Sequence, residues 1–150
     1  MNSLETMIEK ARTVAKRAYA PYSHYPVGVC LRTDNNQLFT GCNVENASYS
    51  LTLCGEASAI ANMVSHGERC IVEAVVLGTG KELCAPCGAC RQRLNEFASA
   101  QALIHICGPE GVRKTMTMAE LLPESFGPAN LDPANLCVDS HKVGGENLNG

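Results

Sequence analysis

The chain has 150 residues, of which 45% are hydrophobic and 18% charged, and its formal net charge is −3 at pH 7. This length and composition are typical of one soluble globular domain with an ordinary core. Lysine and arginine form no run, which argues against a nucleic-acid partner. The sequence has no apolar stretch of membrane-spanning length and does not begin like a secretion signal, so we predict a cytoplasmic protein with no membrane partner.

Apolar residues between Leu4 and Ala18 recur at helical spacing after Ser3, which is a favourable N-cap residue. Pro21 is predicted to end this helix. Two strand-like runs follow, over residues 27–31 and 38–42, with turn-forming residues between them. The first third of the chain therefore predicts a helix and then a β-hairpin.

Helices and strands alternate in the middle of the chain. The sequence predicts helices over 54–65 and 87–97 and buried strands over 71–77 and 102–107. Residues 112–116 predict an edge strand. This order favours an α/β fold, a three-layer α/β/α sandwich with a mixed sheet of about five strands.

The residues Thr117-Met118-Ala119-Glu120 have the spacing of a capping box and predict a short helix, which Pro123 stops. Beyond residue 126 the composition shifts to glycine, proline, asparagine and aspartate. We predict one catalytic domain over residues 1–136 and a flexible tail over 137–150.

The chain contains nine cysteines, an odd number that favours reduced thiols and a metal site in a cytoplasmic protein. Cys84 is a less well placed rival to Cys87 as a metal ligand, and Cys137 is interpreted as incidental. Four further cysteines lie in apolar runs and are interpreted as small buried hydrophobic residues. These are Cys30, Cys42, Cys70 and Cys107.

Three cysteines and one glutamate form the strongest functional pattern, Cys54-Gly55-Glu56 followed by Pro86-Cys87-Gly88-Ala89-Cys90. Three thiolates can fill three positions of a tetrahedral zinc site and leave the fourth for water. Glu56 can move that water's protons without being a ligand. Both motifs lie where the chain enters a helix, and helix N-termini would offset the negative charge of the thiolates.

This pattern resembles the three-cysteine variant of the zinc nucleobase deaminases, in which a zinc-activated water attacks C4 of cytosine. One alternative is a closed structural zinc site, but no fourth cysteine or histidine has an obvious spacing. A redox role for Cys87 and Cys90 is a further alternative. The acid beside Cys54 favours the catalytic interpretation.

The resemblance to small homotetrameric cytidine deaminases extends over about residues 5–131. It implies one Zn²⁺ per subunit, shared active sites, and conversion of cytidine and 2′-deoxycytidine to uridine and 2′-deoxyuridine in pyrimidine salvage. The alternative within enzymes is a relative that acts on N4-modified cytidines or a nucleoside antibiotic. The segments that carry the resemblance are Tyr19–Gly28, Gly41–Tyr49, Cys54–Glu56, Pro86–Gln92, Glu120–Pro123 and Phe126–Pro128.

The resemblance also implies roles for residues outside the metal motif. Asn43 and Glu45 match a pair that binds the ribose 3′-hydroxyl, and Tyr25 matches an aromatic position, usually Phe, that packs on the pyrimidine. The N–H of Gly55 and the C=O of Ala85 match groups that bind the edge of the base. Neighbouring subunits would contribute Ala47, Tyr49 and Phe126.

One residue departs from the family pattern. Members with three cysteine ligands commonly have Arg directly after the catalytic glutamate, where it donates to the thiolates, but here Ala57 follows Glu56. Three explanations stay open: Arg91 or Arg93 reaches the sulfurs, the helix dipoles suffice, or the activity is altered, for example towards N4-modified cytidines. A nucleic-acid editor and a non-catalytic zinc scaffold are the rival classes of function.

Overall fold

The structure is a computed structural model that describes residues 3–131 and Cys137. Of the predicted tail over residues 137–150, all but Cys137 lies outside the described residues. The described part contains four α-helices and five strands. They are α1 Leu4–Ala15, β1 Val27–Thr33, β2 Leu38–Cys42, α2 Gly55–Ser65, β3 Ile71–Gly78, α3 Gly88–Phe97, β4 Ala98–Gly108, β5 Gly111–Thr117 and α4 Met118–Leu121.

The five strands form one mixed sheet in the order β2-β1-β3-β4-β5. Only β3 and β4 are parallel, and the crossover between them contains α3. Helix α1 packs on one face of the sheet, and α2, α3 and α4 cover the other. The predicted three-layer α/β/α sandwich is therefore confirmed.

Apolar side chains that leave the strands in alternation fill both interfaces between sheet and helices. On the first face, Met7 and Ala11 of α1 pack against Val75 of β3, and all three are fully buried. On the second face, Met63 of α2 and Leu94 of α3 belong to one larger buried cluster. Each such large side chain contributes about 1.5–3 kcal/mol when it leaves water.

A glycine in β2 lets α2 lie directly on the sheet. A Cβ atom on Gly41 would stand 2.2 Å from the backbone nitrogen of Ala59 and 2.7 Å from the carbonyl oxygen of Gly55. Those are backbone atoms of α2, which cannot move independently of the helix. The close approach fixes the depth at which the first turn of α2 meets the sheet.

Helix α1 ends earlier than the sequence predicts. It begins after the predicted cap, with the Thr6 N–H donating to Ser3 Oγ at 3.2 Å, but it ends at Ala15 and not near Pro21. The placement of Ala18 in this helix is therefore wrong. Tyr19 instead forms a β-bridge with Val44. The backbone groups of Tyr19 are hydrogen-bonded to that segment, so the chain there is extended and not helical.

The interpretation of two cysteines is also wrong. Cys70 is not simply a buried hydrophobic residue and Cys137 is not incidental, because the two form a disulfide across 67 positions of sequence. Cys42 is only half-buried. Cys30 and Cys107 are fully buried as predicted, and burial raises the pKa of Cys30 to about 12 and that of Cys107 to about 11.

The predicted capping box at Thr117 is present. The Glu120 N–H donates to Thr117 Oγ1 at 3.2 Å, and the Thr117 N–H donates to the Glu120 carboxylate at 2.8 Å.

In the part of the chain that the structure describes, no helix combines the length and the apolar character needed to cross a bilayer.

Candidate active site

Two helices begin at the same end of the sheet, where β2 and β3 end and β1 begins. Cys54 is the N-cap residue of α2 and Cys87 is the N-cap residue of α3. Both sulfur atoms therefore lie at the start of a helix. The paired N-termini supply partial positive charge to this end of the molecule.

Cys54, Glu56 and Cys90 are brought together as the sequence predicts. Their ligand atoms lie within 4.8 Å of one another, and within residues 3–131 and Cys137 no other group of this kind occurs. The thiol of Cys90 donates to Cys54 Sγ at 2.7 Å. Cys87 lies outside this tight group and is exposed, although it lines the same cavity.

The two close thiols differ in how easily they ionise. The hydrogen bond from Cys90 lowers the pKa of Cys54 to about 6, with help from the Ala57 N–H and the charge of Arg93. The same hydrogen bond raises the pKa of Cys90, because ionisation would remove the donated proton. The pair therefore supplies a thiolate near neutral pH, the form that binds zinc. Sulfur donors at two helix N-termini fit a zinc ion.

Glu56 is a buried carboxyl group beside these sulfurs. It lies in the first turn of α2, and only 4% of its surface is exposed. Burial raises the pKa of Glu56, while Arg93 opposes the shift. A carboxyl group whose pKa moves towards neutrality can both accept and donate a proton within one catalytic cycle.

A cavity of about 340 Å³ opens above the thiols and the carboxyl group. Of the predicted substrate contacts, Tyr25, Asn43, Gly55 and Ala85 line it. Sequence reasoning did not identify several further lining residues. Thr52, Leu53 and Pro86 directly precede the predicted ligands and could have been found from those positions, whereas Val76 comes close only through the fold. The residues missed are Ser23, Val27, Thr52, Leu53, Val76 and Pro86.

Asn43 and Tyr25 are held firmly at the wall of the cavity. The Asn43 side chain accepts from the Val27 N–H at 2.9 Å and donates to the Tyr25 carbonyl at 2.9 Å. Burial and a hydrogen bond with Cys84 raise the pKa of Tyr25. Cys84 thus contacts Tyr25, the residue at which the family usually has Phe. It does not belong to the close group of Cys54, Glu56 and Cys90.

Glu45 and Tyr49 line a second depression, which shares Ser23 and Thr52 with the main cavity. One carboxylate oxygen of Glu45 accepts from the N–H groups of Tyr22 and Ser23 at 3.0 and 3.1 Å. A hydrogen bond from Ser23 lowers the pKa of Glu45. The carboxylate is thus ionised next to the cavity and keeps a second oxygen for another donor.

Two predicted residues stand apart from the cavity of their own chain. Ala47 and Phe126 line neither of these depressions. Phe126 is 59% exposed, although its carbonyl accepts from Gln92 at 2.9 Å and from Asn95 at 3.3 Å. The backbone of Phe126 is therefore held in place by hydrogen bonds, while its ring is exposed to solvent.

The two candidate arginines of α3 have different contacts. The guanidinium of Arg91 donates to the carbonyls of Pro86 and Leu121 at 2.8 and 2.9 Å. Arg93 instead places Nη1 at 3.8 Å from Cys54 Sγ. Arg93 is the one of the two that reaches a sulfur.

A carboxyl group buried among cysteine thiols, at paired helix N-termini in the floor of a cavity, defines a zinc-dependent hydrolytic deaminase. The chain belongs to the cytidine and deoxycytidylate deaminase family. The sequence model described as the cytidine and deoxycytidylate deaminase zinc-binding region matches residues 1–106.

Individual relatives agree with this assignment. Cytidine deaminase of Sporosarcina psychrophila is 34% identical over 131 residues, which cover 87% of this chain and 96% of that protein. Cytidine deaminase of Mycobacterium tuberculosis is 41% identical over 119 residues, covering 78% and 84%. The crystal structure of cytidine deaminase from Burkholderia pseudomallei matches with a TM-score of 0.78 at 36% identity and covers 83% of this chain and 99% of that one.

Proposed function

We propose that this protein hydrolytically deaminates cytidine and 2′-deoxycytidine to uridine and 2′-deoxyuridine, a reaction of pyrimidine salvage. The observation that carries the proposal is the position of Glu56, buried beside Cys54 and Cys90 in the floor of the cavity. A hydrolytic deaminase needs a proton carrier at this place, because each turnover moves protons from water to the ring and the leaving group.

Cys54, Cys87 and Cys90 are the proposed ligands of one zinc ion per subunit. The tight contact between Cys54 and Cys90 supports two of them, and Cys87 lines the same cavity at the start of α3. Zinc bound there supplies the Lewis acidity that makes water a nucleophile near neutral pH. The chain's own part is to hold the sulfurs as thiolates and to keep the site shielded from bulk water.

Glu56 is proposed to act as both base and acid. As a carboxylate it accepts a proton from the attacking water. As a carboxylic acid it donates a proton to N3 of the ring and then assists the departure of ammonia. The raised pKa of Glu56, which follows from its burial, suits both directions of transfer.

The nucleoside is proposed to lie with its base against Tyr25 and its ribose towards Asn43 and Glu45. The N–H of Gly55 and the C=O of Ala85 would bind the edge of the base. Tyr25, Asn43, Gly55 and Ala85 line one cavity, and Glu45 lines the depression beside it. A fixed amide and an ionised carboxylate offer the donors and acceptors that a sugar hydroxyl needs.

We also propose that the protein is a cytoplasmic homotetramer with shared active sites. Three large apolar side chains are mostly exposed: Tyr49 at 75%, Leu51 at 63% and Phe126 at 59%. A neighbouring subunit that covered them would remove this apolar surface from water. Ala47, Tyr49 and Phe126 are proposed to complete the cavity of a neighbour. Reducing surroundings would keep the site cysteines as thiols.

A substrate panel at fixed pH tests the reaction. Cytidine, 2′-deoxycytidine and N4-substituted cytidines are followed by the loss of ultraviolet absorbance. We expect turnover of the two unmodified nucleosides. Turnover of N4-substituted cytidines without any turnover of cytidine would contradict the proposal and assign the alternative activity.

Mixing two inactive variants tests the shared site. Glu56→Gln lacks the proton carrier, and Phe126→Ala lacks the residue proposed to complete a neighbour's cavity. Subunits exchanged between the two variants create sites with both an intact Glu56 and an intact Phe126, so activity should return. Activity of Phe126→Ala alone at the wild-type level, or activity of a stable monomer, would contradict sharing.

A further inference from the structure

Arg93 is a positively charged side chain that reaches a sulfur atom in the candidate active site. Its Nη1 atom lies 3.8 Å from Cys54 Sγ. Arg93 follows Cys90 by three residues, which places the two side chains on the same face of α3. From that face the guanidinium crosses to the start of α2, where Cys54 is the N-cap residue.

The charge of Arg93 is available to the sulfur. Within the residues that the structure describes, Arg93 forms no ion pair with a carboxylate. The other donor to Cys54 from this side is the backbone N–H of Ala57, whose side chain carries no donor. Arg91 is occupied by the carbonyls of Pro86 and Leu121.

We propose that Arg93 is the cation that offsets the negative charge of the thiolate ligands in this protein, and that it acts from α3 in place of a side chain at position 57. The proposal rests on Cys54, Cys87 and Cys90 being zinc ligands, as proposed above. Three thiolates and one divalent ion carry a net charge of −1, so a cation beside one sulfur withdraws electron density from the centre. Arg93 touches no reacting atom and is a positioning and charge-balancing residue.

Cobalt substitution gives a spectroscopic test that does not depend on activity. Positive charge beside a thiolate lowers the energy of its lone pairs, so charge transfer from sulfur to Co²⁺ then needs more energy. Replacing Arg93 by Met, which has similar length and no charge, should move the sulfur-to-cobalt band to longer wavelength. In the zinc enzyme the same variant should lower kcat about tenfold, the lower end of the range for residues that support metal ligands.

Two further variants make the test specific. Arg69→Met removes the same charge from an exposed residue beyond the opposite end of α2 and should leave the band in place. The double variant Ala57→Arg/Arg93→Met returns a cation from α2 and should restore both the band and kcat. Restoration would show that charge at the sulfur, and not packing of the Arg93 stem, sets the effect.

The outcomes separate this proposal from the assignment of the ligands. A wild-type protein that binds Co²⁺ without a sulfur-to-cobalt band would overturn the cysteine ligands themselves. A normal band in wild type that Arg93→Met leaves unshifted, or shifts no more than Arg69→Met does, would overturn only the role of Arg93. A shifted band that Ala57→Arg does not restore would contradict the charge mechanism.

Discussion

At the scale of single residues, Glu56 combines deep burial with a position at a helix N-terminus. It is almost completely buried, yet it lies in the first turn of a helix beside two thiols and not beside a cation in direct contact. Burial keeps water away and raises the pKa, while the helix N-terminus stabilises the ionised form. Both protonation states are therefore accessible, which is what proton transfer in two directions requires.

Glu56→Gln tests this role directly. Glutamine has nearly the same shape and can still hydrogen-bond, but it cannot carry a proton, so kcat for cytidine should fall by about 10²–10⁴-fold or more. Metal analysis should still find one zinc ion per chain, and the circular dichroism spectrum should match wild type. A variant that lost its zinc would indicate that Glu56 is a ligand and not the proton carrier.

Glu73 is a second buried acid, and its effect is on stability. It bridges β1 and β4, since Arg32 Nε donates to it at 2.8 Å and His105 Nε2 lies 2.7 Å from its other oxygen. Burial alone would raise the pKa of Glu73, but the hydrogen bonds from Arg32 and His105 outweigh it and hold the pKa below the ordinary 4.5. The ionised form is thus favoured in the folded protein.

This lowered pKa predicts a difference in acid stability. The contribution of Glu73 is complete above about pH 4.5 and is lost as the pH falls through the lower folded-state pKa. Glu73→Gln should therefore cost about 2 kcal/mol of unfolding free energy at pH 7, with the two proteins converging in strong acid. Urea unfolding at a series of pH values measures this. A difference that does not change with pH would assign the cost to packing instead.

The grouping of the cysteines with Glu56 could be predicted from the sequence, but the contacts of the neighbouring arginines could not. Cys54, Glu56 and Cys90 follow from spacing alone, because each comes one turn or less from a helix start. The choice between Arg91 and Arg93 depends on the rotation of α3 about its axis. That rotation turns Arg91 towards the carbonyl of Leu121 in α4, which no local pattern reveals.

At the scale of elements, the site depends on how α2 and α3 approach the sheet. Their bounds were predictable to within a residue, because each begins after an N-cap cysteine in extended conformation. The early end of α1 and the early start of β4 at Ala98 were not predictable. Both result from pairing with distant segments, Val44 in one case and Ile71 in the other.

Gly41→Ala tests whether the depth of α2 matters for function. The added methyl group would meet three backbone atoms of α2, the nearest at 2.2 Å, so the helix must shift as a body. We expect a loss of about 3 kcal/mol in unfolding free energy and a fall in kcat, since Cys54 and Glu56 move with the helix. Urea unfolding and steady-state kinetics measure the two effects.

Gly88→Ala is the matched control for stability. The same methyl group at Gly88 would find no neighbouring atom within 4 Å, so the free energy of unfolding should stay level or rise slightly. Equal losses from the two substitutions would show that glycine flexibility, and not the contact between α2 and β2, explains the effect at Gly41.

At the scale of the whole molecule, the disulfide joins the start of β3 to a cysteine beyond the last described helical turn. Local composition indicated no partner for Cys137, because a covalent contact across 67 positions leaves no periodic signal. In the chain-entropy description, closing a loop of this length stabilises the folded state by about 4 kcal/mol.

Redox state should therefore set the stability of this protein. Oxidised wild type is expected to unfold with a free energy about 4 kcal/mol above that of the reduced protein, and Cys137→Ser should match the reduced value with or without reductant. After metal removal and denaturation, alkylation without reductant should label seven of the nine cysteines. Labelling of all nine, or equal stability in both redox states, would show that the bond does not form in solution. Because a reducing cytoplasm keeps such pairs as thiols, the reduced value is the one that applies there.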